Sequence, residues 1–410
     1  MQFNPFFINT NLCYTQQECT DLPTFLNNVS GNTGNSYIAY SVIKLLYGKL
    51  IPVAEIKNLW TYSFQNQEAL INQINQKHSH VILLLQDQIR LTQSYGINPN
   101  WQKINTFLKQ LKKPFIVFSL GANDFGTEST DWWKYLSKDF IQFLHILSEH
   151  STSLSVRGTQ TLEILKHLGI QNAQAVGCPT FFEAGPNRKI TKKPLDNELQ
   201  ILGKNAFDTR TKDVFSGVIQ DEVALMKILF FNDNCCDIKD KYSLPFLISL
   251  AQRNIACFAG MELWKRFVSK YKCCISYRMH GGILALNAGI PAIVLNKDLR
   301  ATEMCDLFKI PHFPQFDHIH WKELYEQADF TPLNKAYPLL YRSFMGWLDK
   351  NGITKQTITQ AHAFAETLPD IQEPLLPLNP HFSDWINHIL KHRQYYVSSK
   401  DLIRQLLQKI

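Results

Sequence analysis

The sequence predicts an α/β protein with parallel sheets, built as two Rossmann-like domains that face a cleft and are followed by a helical C-terminal extension. Short, nearly continuous apolar runs alternate with longer amphipathic runs, which is the pattern of strands covered by helices on both faces. The length of 410 residues exceeds what one small core accommodates and indicates two or three domains at about 150 residues each.

The first half of the chain contains one clear βαβ unit. His80–Leu85 and Pro114–Leu120 are apolar runs of strand length. Between them, Trp101–Leu111 places apolar residues at helical intervals. The elements predicted to follow are a helix over 130–148, a strand over 153–156, a helix over 159–168 and a strand over 173–176.

A change of composition divides the chain. The segment Gly185–Glu198 is rich in Pro, Lys and Asn and has no apolar period, as expected of an interdomain linker. We therefore predict an N-terminal Rossmann-like domain over 1–190, a C-terminal one over 191–330 and the helical extension over 331–410. Beyond the linker, the patterns predict helices over 213–231, 243–252, 261–271, 283–288, 333–351 and 383–410, and strands over 273–277 and 291–295.

Composition excludes several functional classes. Apolar residues form 45% and charged residues 19% of the chain, which excludes wholesale disorder. The formal net charge of +7 is too diffuse for a nucleic-acid partner, but it suits an anionic substrate or a peripheral approach to an acidic membrane surface. No run approaches the roughly 18 consecutive apolar residues of a transmembrane helix, and residues 1–15 lack a secretory signal pattern. A cytoplasmic location is expected.

The nine cysteines match no metal or disulfide pattern. Their number is odd, two pairs are adjacent and no C-x-x-C occurs. The sequence therefore predicts neither a disulfide framework nor a metal site. Buried thiols in a reducing cytosol are expected instead.

A glycine-containing loop near the N-terminus is the first candidate site. Gly31–Asn35 (GNTGN) leads into an apolar helix over 38–46. The glycines permit a tight turn, and unpaired N–H groups at a helix start can hold a phosphate or sugar hydroxyls. The candidate residues of this acceptor or anion loop are Asn32, Gly34 and Asn35. Taken alone, an ordinary loop with Asn35 or Ser36 as N-cap is the favoured interpretation.

Arg157 is the second candidate. It stands where the predicted strand over 153–156 ends and a helix begins. Ligands of open α/β sheets bind at such carboxyl ends, and a guanidinium offers a planar fork for a carboxylate or phosphate. A surface arginine or a partner of a helix dipole explains the residue about as well.

The segment Cys273–Ala288 (CCISYRMHGGILALNA) carries the sharpest chemical pattern. A strand is predicted to end at Arg278 and His280, which alternate on extended backbone and so point the same way. Gly281 and Gly282 form the turn and remove side chains that would block a ligand. A cation beside an imidazole at a helix N-terminus suits anion binding and proton transfer. A core histidine bonded to a carbonyl is the alternative, and the combined pattern disfavours it.

Arg300 is a further candidate, in the charged segment Lys297–Glu303. This segment follows the predicted strand over 291–295 and therefore falls on the rim of the cleft. A charged loop that caps a helix explains it equally well.

Together these segments resemble the polysaccharide pyruvyl transferase family. The family shows a G-N-x-G loop, a strand ending in V-R followed by G-x-P, and an R-x-H-G turn followed by A-L-x-x-G-x-P. The matching segments here are Gly31–Gly34, Val156-Arg157 with Gly177–Pro179, Arg278–Gly281 with Ala285–Pro291, and a D-x-R-x-x-E-like run of Asp298, Arg300 and Glu303. Order and spacing agree over roughly residues 25–315. Asn35 departs from the pattern, because many members have Asp there.

The resemblance implies a GT-B-like fold and transfer of pyruvate from phosphoenolpyruvate to two sugar hydroxyls as a cyclic ketal. Implied acceptors are sugars of capsule, exopolysaccharide, lipopolysaccharide or cell-wall polymers, often carried on a lipid or nucleotide. The resemblance also implies that the enzyme acts in the cytoplasm or at the inner face of the membrane. The acceptor is expected on the N-terminal domain and the donor on the C-terminal domain. No cofactor is expected besides the donor substrate. Arg157, Arg278 and His280 correspond to the family's donor-binding and catalytic residues, with Arg278 and His280 as the catalytic pair. Our predicted donor site adds Gly281, Gly282 and Arg300.

Two other functions fit parts of the pattern. A nucleotide-sugar glycosyltransferase shares the fold, and its diphosphate donor would also need Arg and His. A non-catalytic polysaccharide-assembly protein would keep only the fold. The combination of R-x-H-G-G with the earlier V-R favours pyruvyl transfer over the first, and the presence of Arg157, Arg278 and His280 together argues against the second.

Overall fold

The computed structural model describes residues 3–91, 99–123, 132–196, 198–202, 216–231, 255–296, 298–314, 321–377, 379 and 384. The strands are β1 (Phe6–Ile8), β2 (Glu55–Ile56), β3 (Val81–Leu84), β4 (Ile89–Arg90), β5 (Phe115–Phe118), β6 (Ala122–Asn123), β7 (Leu154–Val156), β8 (Ala173–Ala175), β9 (Glu198–Leu202), β10 (Ser216–Ile219), β11 (Ile255–Ala256), β12 (Cys273–Ser276), β13 (Ala292–Asn296) and β14 (His312–Pro314).

The α-helices of the same ranges are α1 (Leu22–Asn28), α2 (Thr33–Tyr47), α3 (Gln67–Lys77), α4 (Trp101–Lys109), α5 (Lys138–His150), α6 (Thr159–His167), α7 (Val223–Phe230), α8 (Met261–Val268), α9 (Met279–Asn287), α10 (Leu299–Phe308), α11 (Trp321–Gln327), α12 (Thr331–Lys350) and α13 (Lys355–Glu366). Short 3-10 turns cover Gln16–Cys19, Trp132–Tyr135 and Pro179–Phe182. No helix in the described ranges is long and apolar enough to cross a bilayer.

The N-terminal sheet is parallel and has the order β2-β1-β3-β5. A bridge between Leu120 and Val156 continues it to the pair β7-β8, so the order reverses between β1 and β3. Alternate residues of its central strands are buried on opposite faces. Phe6 and Val81 pack towards α3–α6, whereas Phe7 and Ile82 pack towards α2. The continuous apolar runs of the sequence therefore follow from burial on both faces.

The C-terminal sheet is parallel and has the order β11-β10-β9-β12-β13-β14. Counted from β9, this is the order 3-2-1-4-5-6 of the Rossmann fold. The two sheets together give the predicted fold class, two Rossmann-like domains in a GT-B-like arrangement. The reversal of strand order lies between β9 and β12, and β12 is the strand that leads into Arg278 and His280.

The C-terminal helices return to the N-terminal domain. The Trp347 indole on α12 donates to the Ser153 carbonyl at 3.1 Å and packs edge-on against Phe118 of β5. His362 on α13 pairs with the Leu45 carbonyl of α2 through Nε2 at 3.1 Å. The described part of the predicted extension is therefore helical over Thr331–Lys350 and Lys355–Glu366, and these helices pack on the N-terminal domain.

One sequence prediction assigns the wrong element type within the described residues. The predicted helix over 213–231 is divided: β10 occupies Ser216–Ile219 and only Val223–Phe230 is helical. Gly217 and the β-branched Val218 and Ile219 favour extended backbone, and the apolar run hid the boundary. The predicted linker, Gly185–Glu198, runs up to the first residue of β9. The predicted helices over 243–252 and, apart from Asp384, over 383–410 lie outside the described residues.

Candidate functional site

The carboxyl ends of the two sheets meet, and the charged residues predicted from the sequence lie at these ends. Arg157 follows β7, Arg278 follows β12, and Arg300 lies in the first turn of α10 after β13. Arg300 donates through Nη1 to Asp87 Oδ2, which follows β3, at 3.1 Å. Because this contact joins a residue after one sheet to a residue after the other, the two edges form one cleft. This edge is where open α/β sheets bind ligands.

Arg157 is buried in the cleft, and no carboxylate of the described residues is bonded to it. Its side chain is 2% exposed, and its Nε donates to Ser119 Oγ at 3.1 Å. Nη2 has no hydrogen-bond partner among the described residues. A Cβ on Gly121 would lie 2.5 Å from Arg157 Cδ, so a glycine is required beside the guanidinium stem. A buried N–H without a partner is costly, and its persistence here indicates a binding group.

Ser119, the partner of Arg157, stands on unusual backbone. Its φ of 63° lies in the left-handed region, where a residue other than glycine is strained. Asn9 and Asn11, which follow β1 at the same edge, also have positive φ values of 64° and 49°. Such strain concentrates where the surrounding fold holds residues for a function.

Arg300 is held by two carboxylates. Its Nη2 donates to Asp298 Oδ2 at 2.7 Å, while Nη1 binds Asp87. Asp87 also accepts from Asn123 Nδ2 at 3.0 Å. Burial alone would raise the pKa of Asp87, but Arg300, Arg157 and Arg90 outweigh it and hold that pKa below its usual value. Asp87 is therefore an ionised carboxylate between cations.

His280 lies beside this group of charges. It occupies the second position of α9 and is 7% exposed. Its pKa is well below the ordinary value, because burial disfavours the imidazolium and the positive charges of Arg157 and Arg300 add to that effect. Asp87 opposes the shift without reversing it. His280 is consequently a neutral imidazole, and its Nε2 lies 3.6 Å from Cys178 Sγ.

Arg278 has a different partner from His280, which corrects one expectation. Helix α9 begins at Met279, so only Arg278, its N-cap, is extended and His280 is already helical. The two side chains do not alternate on a strand. Arg278 instead forms an ion pair with Asp221, which follows β10, with Nη2 and Oδ2 2.8 Å apart. Its Nε has no partner among the described residues.

Gly281 and Gly282 are likewise inside α9 and do not form a turn. A Cβ on Gly282 would lie 3.1 Å from the Val294 side chain and 3.2 Å from that of Ser276. Gly282 therefore lets the helix pack closely on β12 and β13, and the space it leaves faces the sheet. This differs from the expectation that it clears room for a ligand.

The glycine loop connects the two domains. Helix α2 begins at Thr33, and Asn32 is the N-cap, accepting from the Gly34 N–H at 2.8 Å; the predicted N-caps were Asn35 or Ser36. Asn32 Oδ1 also accepts from Gln220 Nε2, after β10, at 2.8 Å. A Cβ on Gly34 would lie 2.3 Å from that amide nitrogen. The Asn35 amide donates to the Ser30 carbonyl at 3.3 Å, within the loop.

Glu303 completes the cleft wall behind Arg157. Its two oxygens accept from the Thr161 N–H at 3.0 Å and the Thr161 hydroxyl at 2.7 Å. Burial raises its pKa, and these bonds and Arg157 oppose the rise. Gly158 is required here, because a Cβ would lie 2.7 Å from the Glu303 side chain. Lys297, at the start of the same predicted segment, lies outside the described residues.

Unused hydrogen-bonding capacity is concentrated at this edge. Buried side-chain atoms that follow strands and have no partner in the described part of the chain are Asn9 Nδ2, Asn11 Oδ1, Gln86 Nε2, Asn123 Oδ1, Arg157 Nη2, Gln220 Oε1 and Arg278 Nε. Four of these seven atoms are N–H donors, and two of the four belong to arginines. The arrangement can bind a small anion and place it beside a neutral imidazole. Among the described residues, no three His, Cys, Asp or Glu side chains are grouped to hold a metal ion.

Sequence reasoning missed Asp87, Asp221 and Cys178 as members of this site. Asp87 and Asp221 each follow an apolar strand within three residues, which is the signal that identified Arg157. Cys178 stands in the G-x-P segment that was quoted only as a spacing match. The same strand-end criterion, applied to acidic residues and thiols, would have found Asp87 and Cys178, whereas Asp221 follows a strand that the sequence pattern predicted as helix.

Comparisons with known proteins identify a family. A family model described as polysaccharide pyruvyl transferase matches residues 32–298, about two thirds of the chain. The match includes the glycine loop from Asn32 onward, Arg157, Arg278 and His280, and ends before Arg300. A search of curated proteins found no match.

Solved structures give distant similarities. A UDP-GlcNAc 2-epimerase from Methanocaldococcus jannaschii is 14% identical, with 82% of this chain and 94% of that chain covered and a TM-score of 0.39. A putative UDP-N-acetylglucosamine 2-epimerase from Listeria monocytogenes is 9% identical, with 97% and 98% covered and a TM-score of 0.38. The wall teichoic acid polymerase TagF is 9% identical, with 95% and 90% covered and a TM-score of 0.31.

Proposed function

Because the chain belongs to the polysaccharide pyruvyl transferase family, we propose that it transfers pyruvate from phosphoenolpyruvate to two hydroxyls of a sugar in bacterial surface polysaccharide biosynthesis. The observation that carries this proposal is the pairing of Arg157 with His280. A buried guanidinium with an N–H that has no partner among the described residues lies close to a neutral imidazole, and it adds to the lowering of the imidazole pKa that burial causes. An anionic donor that must be protonated needs both groups.

Phosphoenolpyruvate presents a carboxylate and a phosphate, so it needs two cationic forks. Arg157 supplies the first through Nη2. Arg278 supplies the second, since its Nε is also unpartnered in the described structure while Nη2 is fixed by Asp221. Arg300 already has Asp87 and Asp298 as partners. Its role in the proposal is to hold the two sheet edges together and to add positive potential for the donor.

His280 takes the proton-transfer role. In the protein alone its pKa is well below the ordinary value, because burial disfavours the imidazolium and Arg157 and Arg300 also repel it, so the ring is neutral. The negative charges of the donor would reverse this repulsion and raise the pKa of His280, so the proton would be taken up together with the substrate. The ring would then be an acid only when the donor is bound.

The reaction balances without another reactant. Protonation of the donor's methylene carbon creates an oxocarbenium-like centre at C2, which one sugar hydroxyl attacks. Attack by the second hydroxyl closes the ketal as the C–O bond to phosphate breaks and inorganic phosphate leaves. The two sugar hydroxyls release two protons. One returns to the imidazole and replaces the proton that it gave to the methyl group, and the other leaves with the phosphate.

The proposed acceptor is a glycan sugar, free or carried on a lipid or nucleotide, approached from the N-terminal domain. Its polymer would be capsule, exopolysaccharide, lipopolysaccharide or a cell-wall polymer. The loop with Asn32, Gly34 and Asn35 would border that side, since it spans from α2 to Gln220. A cytoplasmic reaction, at the inner face of the membrane for a lipid-linked acceptor, is part of the proposal.

The test is to incubate the purified protein with phosphoenolpyruvate and a panel of free, lipid-linked and nucleotide-linked glycans. Acceptor-dependent release of inorganic phosphate, with the acceptor gaining the mass of one ketal-linked pyruvyl group, is expected. The Arg157→Ala variant serves as the matched control and should release far less phosphate. Release of a nucleotide from a sugar nucleotide, with phosphoenolpyruvate left intact, would instead establish a glycosyltransferase.

A further inference from the structure

Cys178 contacts the imidazole that the proposed reaction uses. Its Sγ lies 3.6 Å from His280 Nε2, and both residues are buried. The thiol belongs to the Gly177-Cys178-Pro179 segment after β8, in the N-terminal half of the chain, whereas His280 belongs to α9. The contact therefore joins the two halves at the cleft.

The segment that carries Cys178 is fixed from several sides. Gly177 has a φ of 84°, and a Cβ there would overlap the Phe308 ring. Pro179 restricts the next φ and opens a 3-10 turn. Asn287, at the end of the same helix α9, donates to the Thr180 carbonyl at 2.6 Å. The thiol and the imidazole are thus mounted on elements that are tied to each other.

We assign the direction of the contact from the hydrogen bonds around the sulfur. The Thr180 hydroxyl donates to Cys178 Sγ at 3.1 Å. The sulfur therefore already accepts one bond, and its own S–H remains to be donated. Within the described structure, His280 Nε2 is the acceptor that this thiol contacts. A neutral imidazole has one nitrogen that accepts and one that donates, so a thiol donating to Nε2 places the ring proton on Nδ1.

We propose that Cys178 is a positioning residue that holds His280 in the tautomer with its proton on Nδ1. The thiol donates to Nε2 while the ring is neutral and can accept from Nε2–H once the ring is protonated. The imidazole remains held in both states, and Nδ1 is the nitrogen left to exchange a proton with the substrate. Only this last assignment rests on the proposed function; the tautomer itself does not.

A thiol suits this place better than a carboxylate would. A carboxylate only accepts hydrogen bonds, and its charge would favour the imidazolium and raise the pKa of His280. The thiol holds the ring without adding charge, which leaves the depressed pKa to be set by burial and the neighbouring arginines. The donor's own charge can then control protonation.

The direct test is nitrogen NMR of the full chain labelled with ¹⁵N-histidine, with His280→Gln identifying the signals of this ring. The expected result is a pyrrole-type Nδ1 and a pyridine-type Nε2. Cys178→Ala should shift the population towards the Nε2–H form, and Cys178→Ser, which keeps a donor, should restore Nδ1–H. A protonated Nε2 in the neutral wild-type ring would overturn the proposal.

Turnover gives the second readout. Loss of a group that fixes the tautomer of a metal-binding histidine costs about 10- to 100-fold in activity, and we expect a loss of the same order for this catalytic histidine. Cys178→Ala should lower kcat in this range and leave KM for phosphoenolpyruvate and the thermal midpoint nearly unchanged, while Cys178→Ser recovers most of kcat. Cys257→Ala is the matched control, because Cys257 is a buried thiol in the core of the second domain. An equal loss of kcat in Cys178→Ser and Cys178→Ala would contradict the positioning role.

The two proposals fail separately. If the protein does not use phosphoenolpyruvate, the NMR signals still report the tautomer, and only the proton-transfer assignment to Nδ1 is lost. If the neutral ring instead carries its proton on Nε2, the positioning role of Cys178 is refuted. Measured turnover of phosphoenolpyruvate would still support the proposed function.

Discussion

Two groups of buried charges connect the halves of the molecule, and they are built differently. At the junction, Glu183 is 1% exposed and binds Lys44 at 3.0 Å and Lys265 at 2.8 Å, while Lys44 also binds Glu262 at 2.6 Å. Both carboxylates therefore have lysine partners. In the cleft, Arg157 is bonded to a serine hydroxyl only and retains an unpartnered N–H in the described structure.

The pKa directions show the same difference. Burial alone would raise the pKa of Glu183, but Lys265 and Lys44 lower it below its usual value, so the junction stabilises its own charges. In the cleft, burial and two arginines push the pKa of His280 down, so the site disfavours an added positive charge. The same positive potential that disfavours an additional cation favours the binding of an anion. The comparison separates charges that hold the domains together from charges that await a ligand.

The largest expected effect is on turnover. His280→Ala should lose about 10²–10⁴-fold in kcat, because general acid-base catalysis contributes that much, while phosphoenolpyruvate binding is largely retained. His280→Gln keeps size and hydrogen bonding and should be nearly as inactive. Turnover and thermal midpoint are measured side by side for both variants. A well-folded His280→Gln protein with near-normal turnover would remove the acid-base role.

Removing the buried carboxylate of Glu183 at the junction should lower the free energy of unfolding. Glu183→Ala leaves Lys44 and Lys265 facing each other without their shared carboxylate, and breaking such a buried pair costs about 3 kcal/mol. Urea unfolding should show this loss, with KM for phosphoenolpyruvate unchanged at temperatures where the variant is folded. Loss of donor binding without loss of stability would instead place Glu183 in the functional site.

Donor affinity should depend on the guanidinium shape at Arg157. Arg157→Lys keeps the charge but cannot form a fork, so phosphoenolpyruvate affinity should fall about 10- to 100-fold. Arg188→Lys is the control, since Arg188 is buried between the rings of Phe181 and Tyr337, with its guanidinium carbon 4.0 and 3.9 Å from the ring centroids. Its replacement should lower the thermal midpoint and spare affinity. Equal affinities in the two variants would contradict the donor role.

The smallest effect is the pH dependence of stability. His280 faces Arg157, Arg300 and Asp87, and its folded pKa lies below the unfolded value of about 6.5. Below that pH the unfolded chain binds a proton that the folded one does not, so stability falls by about 1.4 kcal/mol per pH unit. His280→Gln lacks this contribution. The unfolding free energy of the wild type, measured relative to that of the variant, should therefore fall as pH drops below 6.5, and a constant difference would disprove the depressed pKa.

Much of the fold could be predicted because a strand buried on both faces of a sheet produces a continuous apolar run in the sequence. The βαβ unit from β3 to β5 and the strands at 154–156 and 273–276 were found from apolar runs alone. The error at 213–231 arose where a strand and a helix share one apolar run. Periodicity cannot separate the two elements over so few residues.

The site could be predicted in part for a similar reason. Arg157 and His280 were identified because each stands at a strand end next to a helix, which is a local property. The partner of Arg300, Asp87, is more than two hundred residues away, and although Asp87 itself follows a strand, no local pattern pairs the two residues. The sequence shows that Gly282 leaves space free but does not show on which side of the helix. The expected ligand-facing space in fact faces β12 and β13.

The central claim is that the cleft is a phosphoenolpyruvate site built around Arg157. Calorimetric titration of phosphoenolpyruvate into the wild-type protein and into Arg157→Ala tests it most directly, with UDP and a UDP-sugar titrated in parallel. The account predicts saturable binding of phosphoenolpyruvate to the wild type, at least tenfold weaker binding to the variant, and no competition by UDP. Binding of the UDP-sugar with none of phosphoenolpyruvate, or equal phosphoenolpyruvate affinity in both proteins, would contradict it.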